Sequence, residues 1–288
     1  HFGCPHCDAW LVTHRFRATL MCHQCGHTEP MPTACPECGR DDRLAACGPG
    51  VERLAEEAGE LFPAARIEVL SSDLTLGPDD LRARLDAIAR GEADIVIGTQ
   101  MVAKGHNFPA LTLVGVVDAD MGLHGGDLRA AERTFQVLHQ VAGRAGRAEK
   151  PGLAMIQTAT PDHAVMRAIL SGDAEAFWRG LADERHAAGM PPYGRLAGVV
   201  VSGEDEAKVG EVARALGRTA PVLARAGITL FGPAPVPIAR VRGRARMRLL
   251  AKAPKGAPMQ AALSEWRAGV KVPASVRVAI DIDPQSFL

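Results

Sequence analysis

Aromatic residues are scarce in this chain: one Tyr, three Trp and eight Phe among 288 residues, or 4%. Its cores must therefore be aliphatic, built from Ala, Val and Leu within a hydrophobic content of 47%. No run of eighteen apolar residues occurs, so no transmembrane helix is indicated, and no secretory signal is visible. Net charge is also missing, since 33 Lys and Arg balance 33 Asp and Glu. The balance conceals a split. Residues 1–188 hold 18 basic against 26 acidic side chains (−8), and residues 189–288 hold 15 against 7 (+8). A basic C-terminal third points to a polyanionic partner there. No Gly-Lys dipeptide occurs anywhere, which excludes a Walker A phosphate loop from these residues. The length allows one large domain or two to three ordinary ones.

Cysteine is absent after Cys47 and crowded before it. Cys4-Pro-His-Cys7, Cys22-His-Gln-Cys25 and Cys35-Pro-Glu-Cys38 are three C-x-x-C knuckles, while Cys47 stands apart as a small apolar residue. Two knuckles supply four thiolates for a tetrahedral zinc at about 2.3 Å per bond. Disulfides are the alternative, but this spacing without a secretory signal favours metal in a reducing compartment. Six paired cysteines amount to one complete site and a half-site. The missing knuckle is expected upstream of His1, in keeping with a chain that starts without Met. His6, His14, His23 and His27 are available as substitute ligands, although His6 and His23 lie inside knuckles and are expected as exposed loop residues.

From Gly48 the pattern alternates between helix and strand. Val51, Leu54, Ala55, Ala58 and Leu61 share one helical face, and Pro63 ends that helix. Strands are expected at 67–70, 94–98, 111–117 and 153–157, with helices at 78–90 and 130–142. This alternation predicts a parallel sheet with helices on both faces, whose ligands bind beyond the carboxyl ends of the strands. The loops Gly98-Thr99-Gln100 and Asp118-Ala-Asp120 begin at such ends, and two constellations stand out, the first in one of these loops and the second at the C-terminal end of a helix. In Gly98-Thr-Gln-Met-Val-Ala-Lys-Gly-His-Asn-Phe-Pro109, Thr99 and Lys104 suit phosphate, Gly105 permits close backbone approach, and Asn107 suits a ribose or bound water. In Gln140-Val-Ala-Gly-Arg-Ala-Gly-Arg147, Arg144 and Arg147 form a compact guanidinium pair beside small residues, fit for a phosphate chain. Solvated arginines on a surface helix are the plain alternative. Asp183-Glu-Arg-His186 spells D-E-x-H, but it falls on a charged helical stretch and is expected to be a solvated face.

The Gly189-Met-Pro-Pro-Tyr-Gly194 stretch marks a boundary, because successive prolines cannot continue a helix. Beyond it the pattern predicts a small βαββαβ domain: strand 196–202, helix 206–224, strand 228–231, an arginine strand, helix 260–268 and strand 276–282. In the arginine strand, Arg240, Arg242, Arg244, Arg246 and Arg248 occupy every second position. One extended strand would place all five on one face, along roughly 25–30 Å. Such a stripe suits a phosphate backbone. An edge strand charged against aggregation is the alternative.

The strand followed by G-T-Q-M-x-A-K-G-H-x-F-P, a second strand with its Asp, and Q-V-A-G-R-A-G-R together resemble motifs V and VI of superfamily 2 helicases. Behind cysteine knuckles, the full wording resembles the PriA (primosomal protein N′) family of bacterial replication-restart DNA helicases over nearly the whole chain. The resemblance implies a zinc module at 1–47, a second RecA-like lobe at 48–188 and a C-terminal DNA-binding α+β domain at 189–288. It implies two zincs with interleaved ligands: Cys4, Cys7, Cys22 and Cys25 on one, and Cys35 and Cys38 sharing the other with an upstream knuckle. Gln140, Arg144 and Arg147 would face ATP across the lobe cleft, with Gly105 and Asn107 beside the nucleotide and Thr99 and Lys104 toward the DNA strand.

The intact protein would then be an ATP- and Mg2+-dependent 3′–5′ helicase for replication restart and primosome assembly at stalled forks. It would act as a nucleoid-associated cytoplasmic monomer, away from membranes. Its partners would be forked or single-stranded DNA, the single-stranded-DNA-binding protein and other primosome proteins. This chain alone, without the first lobe, is expected to be inactive. An alternative of another class is a non-catalytic zinc-containing DNA-binding scaffold that retains half a helicase. The chain departs from the family at Ser71-Ser72-Asp73, where members often show an Arg-Asp pair.

Overall fold

The computed structural model describes residues 2–14, 18–41, 50–71, 77–99, 108, 110–123, 127–143 and 152–286. The chain divides into two compact units, one made of His1–Leu44, Gly126–Leu128 and Trp178–Leu288, the other of Ala45–Gly125 and Arg129–Phe177.

In the first unit, three short antiparallel strands, β1 (Val12–His14), β2 (Thr19–Met21) and β3 (Thr28–Pro30), form a small sheet in the order β1-β2-β3. The second unit holds strands β4 (Ile67–Leu70), β5 (Ile95–Gly98), β6 (Leu113–Val116) and β7 (Leu153–Ile156), with β4 parallel to β5 and β6 parallel to β7. Helix α1 (Val51–Leu61) precedes β4. Helix α2 (Pro78–Ala89) begins on a proline, whose lost N–H would have had no helical partner, and carries Asp79 and Asp80 in its first turn. It buries Leu85 and Ile88 against Leu70. Helix α3 (Ala130–Ala142) buries Thr134, Phe135 and Leu138, and Phe135 stacks on Phe177 at 4.2 Å between ring centroids. Helix α4 (Ala164–Ser171), which the alternation did not predict, is capped by the His163 side chain accepting from the Val165 amide and ends at Gly172 with φ +72°. Helix α5 (Ala174–Ala187) follows and includes the D-E-x-H stretch. It ends before Met190-Pro191-Pro192, as the prolines require.

The C-terminal part of the first unit is the expected βαββαβ arrangement. It comprises β8 (Gly194–Gly203), α6 (Glu206–Arg218), α7 (Ala220–Ala224), β9 (Thr229–Val241), β10 (Arg244–Pro254), α8 (Met259–Ala268) and β11 (Val276–Ile282). The strands form one antiparallel sheet in the order β11-β8-β10-β9. Its core is aliphatic: Val199 and Val201 of β8 and Leu249 and Ala251 of β10 pack with Val209, Ala213 and Leu216 of α6 and with Met259, Leu263 and Trp266 of α8. Each fully buried Val or Leu contributes roughly 1.5–3 kcal/mol. Gly194 has no substitute here, since a Cβ on it would lie 2.1 Å from the Gly189 carbonyl oxygen.

Three expectations for this region need correction. The helix at 206–224 is two helices: it breaks at Thr219, whose hydroxyl donates to the Leu216 carbonyl, and the next begins at Ala220 with Pro221 in its first turn. The strand at 228–231 runs on to Val241 through Pro233, Pro235 and Pro237, because β9 is an edge strand and half its amides need no partner. The single arginine strand is a hairpin. Arg242 and Gly243 both have positive φ, 51° and 73°, and form a two-residue turn between β9 and β10. Such turns match the right-handed twist of the flanking strands and favour Gly at the second position.

Candidate metal centre and nucleic-acid interface

Cys4 and Cys7 precede β1, and Cys22 and Cys25 bridge β2 and β3, so the short sheet carries both knuckles to one point. The four Sγ atoms lie within 4.8 Å of one another, with Cys4 and Cys25 at 3.6 Å. A tetrahedral ion with 2.3 Å bonds needs sulfurs about 3.8 Å apart. The cysteines are not joined in disulfides, and the donor set is all sulfur, so the residues fit zinc. Each knuckle closes on itself in the same way: Cys4, Cys22 and Cys35 donate their amides to the carbonyls of Ala9, His27 and Arg40 at 2.8–2.9 Å. Gly26 (φ +79°) and Gly39 (φ +71°) supply the left-handed turn that closes the second and third. Amides also point at sulfur: His6 N–H donates to Cys4 Sγ and His27 N–H to Cys25 Sγ, both at 3.4 Å.

The thiols are tuned apart. Burial pushes Cys7 up to about 12, against the opposing effect of the Arg242 amide. At Cys22 burial is outweighed by the amides of Gln24 and Cys25 and the adjoining thiols, which hold it down at about 7. Cys35 is lowered by the Cys38 and Glu37 amides. Cys35 is half-buried and Cys38 exposed, and both stand outside the cluster. The histidines contribute no ligand to the cluster. They pair with one another instead, His14 Nε2 with His23 Nε2 at 3.2 Å and His6 edge-on to His27 at 5.0 Å.

In the second unit, Thr99 is exposed just after β5, and Gln140 is exposed on the last turn of α3. Lys104, Gly105, Asn107, Arg144 and Arg147 lie outside the described residues, as do Cys47, Ser72 and Asp73. A residue without an expected role organises the carboxyl ends of β6 and β7. Asp120, 5% exposed, accepts from Thr158 Oγ1 (2.7 Å), the Ala159 amide (2.6 Å) and Thr160 Oγ1. It staples the loop after β7 to the 3-10 turn Ala119–Leu123 that follows β6. The two threonines, Thr158 and Thr160, were the available signal, but they lie 38 and 40 positions from Asp120.

The hairpin redistributes the arginines. Ala245, Leu249 and Ala251 of β10 face the helices, so the alternating Arg244, Arg246 and Arg248 face the other side of the sheet. Arg240 pairs across the ladder with Ala245 and therefore faces the helices, where it meets Glu206 of α6 at 2.9 Å. Arg242 sits in the turn. The helix-free face gains a residue the sequence pattern did not mark: exposed Arg277 of β11 is in register with Ser202, itself opposite Arg246. Two strand spacings separate Arg277 from Arg246, roughly 10 Å. Small residues lie among these cations, Gly198 and Ser202 on β8, Ala279 on β11 and Ala234 on β9. Phe231, 49% exposed, lies opposite Leu250 on the same face. Cations on a shallow face with little overhang suit a phosphate backbone.

Three family models match successive segments: the PriA DNA helicase Cys-rich region domain at residues 4–30, the helicase conserved C-terminal domain at 40–149, and the primosomal protein N C-terminal domain at 186–285. Among similar proteins, the replication restart protein PriA of Rickettsia felis is 43% identical over 286 residues, covering 99% of this chain and 44% of the relative. The Bacillus subtilis protein of the same name is 39% identical, covering 99% and 36%. That of Haemophilus influenzae is 36% identical, covering 99% and 39%. The chain thus spans less than half the length of these relatives. With a general helicase segment between two PriA-type segments and relatives aligned over nearly all of it, the chain belongs to the PriA family of replication restart proteins, as a C-terminal portion.

Proposed function

We propose that this chain works as the C-terminal part of an ATP-dependent 3′–5′ DNA helicase for replication restart and primosome assembly. Residues 1–47 are its zinc module, 48–188 its second RecA-like lobe and 189–288 its DNA-binding domain. The observation that carries the reading is the collinear order of the cysteine-rich, helicase and C-terminal segments, aligned over 99% of the chain with proteins named for replication restart. Exposure of Gln140 on the last turn of α3, where the chain continues toward Arg144 and Arg147, agrees with it. These three residues complete an ATP–Mg2+ site supplied mainly by a first lobe, with Gly105 and Asn107 beside the nucleotide and Thr99 and Lys104 on the DNA strand. Arg144 and Arg147 stabilise charge developing on the γ-phosphate. Arg244, Arg246, Arg248 and Arg277 hold the backbone of forked or single-stranded DNA.

Zinc at Cys4, Cys7, Cys22 and Cys25 holds the module together, and Cys35 with Cys38 offers half of a second site. Single-stranded-DNA-binding protein and other primosome proteins are the partners, and the intact protein acts as a nucleoid-associated monomer. The test is ATP turnover. The 288-residue chain alone should show no appreciable hydrolysis, and joining it to a first lobe should yield DNA-stimulated turnover. Arg147→Ala in that longer protein should then lower kcat about a thousandfold or more, while DNA affinity stays level. Robust hydrolysis by the chain alone, or normal turnover by the variant, would overturn the proposal.

A further inference from the structure

The first knuckle is tied to a turn that lies far away in the sequence. Arg242 N–H donates to Cys7 Sγ at 3.3 Å across 235 residues. On either side, Asp8 N–H donates to the Arg240 carbonyl at 3.0 Å and Gly243 N–H to the His6 carbonyl at 2.8 Å. Val241 packs on the apolar cluster that contains Cys4, Cys7 and Cys22. A groove lined by His6, Cys25, Gly26, His27, Arg242 and Gly243 marks the seam and brings the second knuckle to the same turn. All three bonds are made by backbone groups of the hairpin, so they depend on its conformation and not on the arginine side chain. That conformation is an unusual one, because Arg242 holds φ +51°, a region that non-glycine residues seldom occupy.

We infer that the Arg242–Gly243 turn is an outer-shell part of the zinc site, and that metal occupancy and the closing of the β9–β10 hairpin are thermodynamically linked. The inference rests on the assignment of zinc to the four cysteines. Four thiolates on one Zn2+ leave a net double negative charge, and amides directed at sulfur offset it. His6 supplies one such amide from inside the first knuckle and His27 another from just beyond the second. The Arg242 amide comes from a distant part of the chain and arrives only when the hairpin is folded against Cys7. Outer-shell partners of this kind are worth about 10–100-fold in metal affinity. Linkage requires the same factor in reverse, so bound zinc favours the closed hairpin as strongly as the closed hairpin favours zinc. Arg244, the first residue of β10, follows this turn directly, which extends the effect of the metal to the cationic face.

Gly243→Val and Gly243→Asn separate the linkage from bulk. A Cβ at this position meets nothing within 4 Å, so only the φ of +73° is at stake. Asn tolerates that region and a β-branched residue does not. Zinc-loaded 288-residue chains are challenged with a chromophoric chelator. The Val variant should release zinc about 10–100-fold faster than wild type, and the Asn and Arg242→Gly variants close to the wild-type rate. Hydrogen exchange on the wild-type chain supplies a second measurement should the Val variant fail to fold. Stripping zinc should lower protection of the Arg240–Arg246 amides by a similar factor and spare Leu249 to Ala253 on β10. Equal release rates, or hairpin protection indifferent to zinc, overturn the linkage while leaving the metal site in place. A chain that takes up no Zn2+ at all overturns the metal assignment and the linkage with it.

Discussion

Cys22 is fully buried, and two opposing effects meet at its thiol. Burial disfavours the thiolate, whereas the amides of Gln24 and Cys25 and the neighbouring thiols favour it strongly enough to bring it to about 7. The amides aimed at Cys22 favour the deprotonated form that a metal needs, and zinc uptake should release protons from the cluster. Under reducing conditions the purified chain should carry zinc in the four-cysteine site. Cys22→Ser should remove most of it by atomic absorption, while the second unit keeps its helical circular dichroism. Disulfides in place of metal would defeat this. Asp94 provides a test of a different kind. The Arg66 guanidinium and amide hold its carboxyl well below the usual carboxylate range. A carboxyl depressed on folding contributes stability above its unfolded value, about 3.9. That contribution disappears as pH falls through the lower folded value. Wild type should therefore exceed Asp94→Asn in denaturant midpoint above about pH 5, and the two should converge in stronger acid. Parallel curves from pH 6 to 2 would contradict the assignment. Asp94 is substantially exposed, so the difference should be small.

At the scale of elements, β10 decides how the C-terminal domain meets a polyanion. Helices cover one face of the four-stranded sheet, and Arg244, Arg246 and Arg248 occupy the other. Changing these three to Ala should reduce the log–log salt slope of DNA binding by about two to three, at roughly 0.7–0.9 per phosphate contact. Arg240→Ala should alter the slope much less, because its guanidinium sits on the helix side beside Glu206. Fluorescence anisotropy across a salt series separates the two, and equal effects from Arg240 and from any one of the three would remove the distinction between faces. The alternation of arginines was plain in the sequence, yet it was compatible with one strand or two. Gly243, midway in the run, was the local sign of a turn. Whether it broke the strand depended on β9 being long enough to pair, which the prolines at 233, 235 and 237 obscured. They fit only because β9 lies at an edge.

On the scale of the whole molecule, the zinc cluster and the C-terminal sheet belong to one compact unit, and the parallel strands belong to another. Zinc binds only the folded form of its site, so it should stabilise the first unit by about 4 kcal/mol when free metal exceeds Kd a thousandfold. Calorimetry of the full chain should resolve more than one transition, and chelation should lower only the transition of the unit with the cysteines. A chelator that moves every transition equally, or none, would contradict this.

The sequence alone determined the features that depend on near neighbours. A C-x-x-C pair with its glycine closes its own turn, and the same amide-to-carbonyl bond recurs in all three knuckles. Period-two and period-3.6 patterns likewise marked most strands and helices, because one buried face selects them locally. Tertiary structure alone decided the rest. It placed Arg240 on the opposite face from Arg246, brought Arg277 into their row, set Asp120 under Thr158 and Thr160, and aimed the Arg242 amide at Cys7. Each of these depends on register between strands or on packing across long stretches of chain. Ladder register and twist set such positions, and a residue's near neighbours in the sequence carry no record of them.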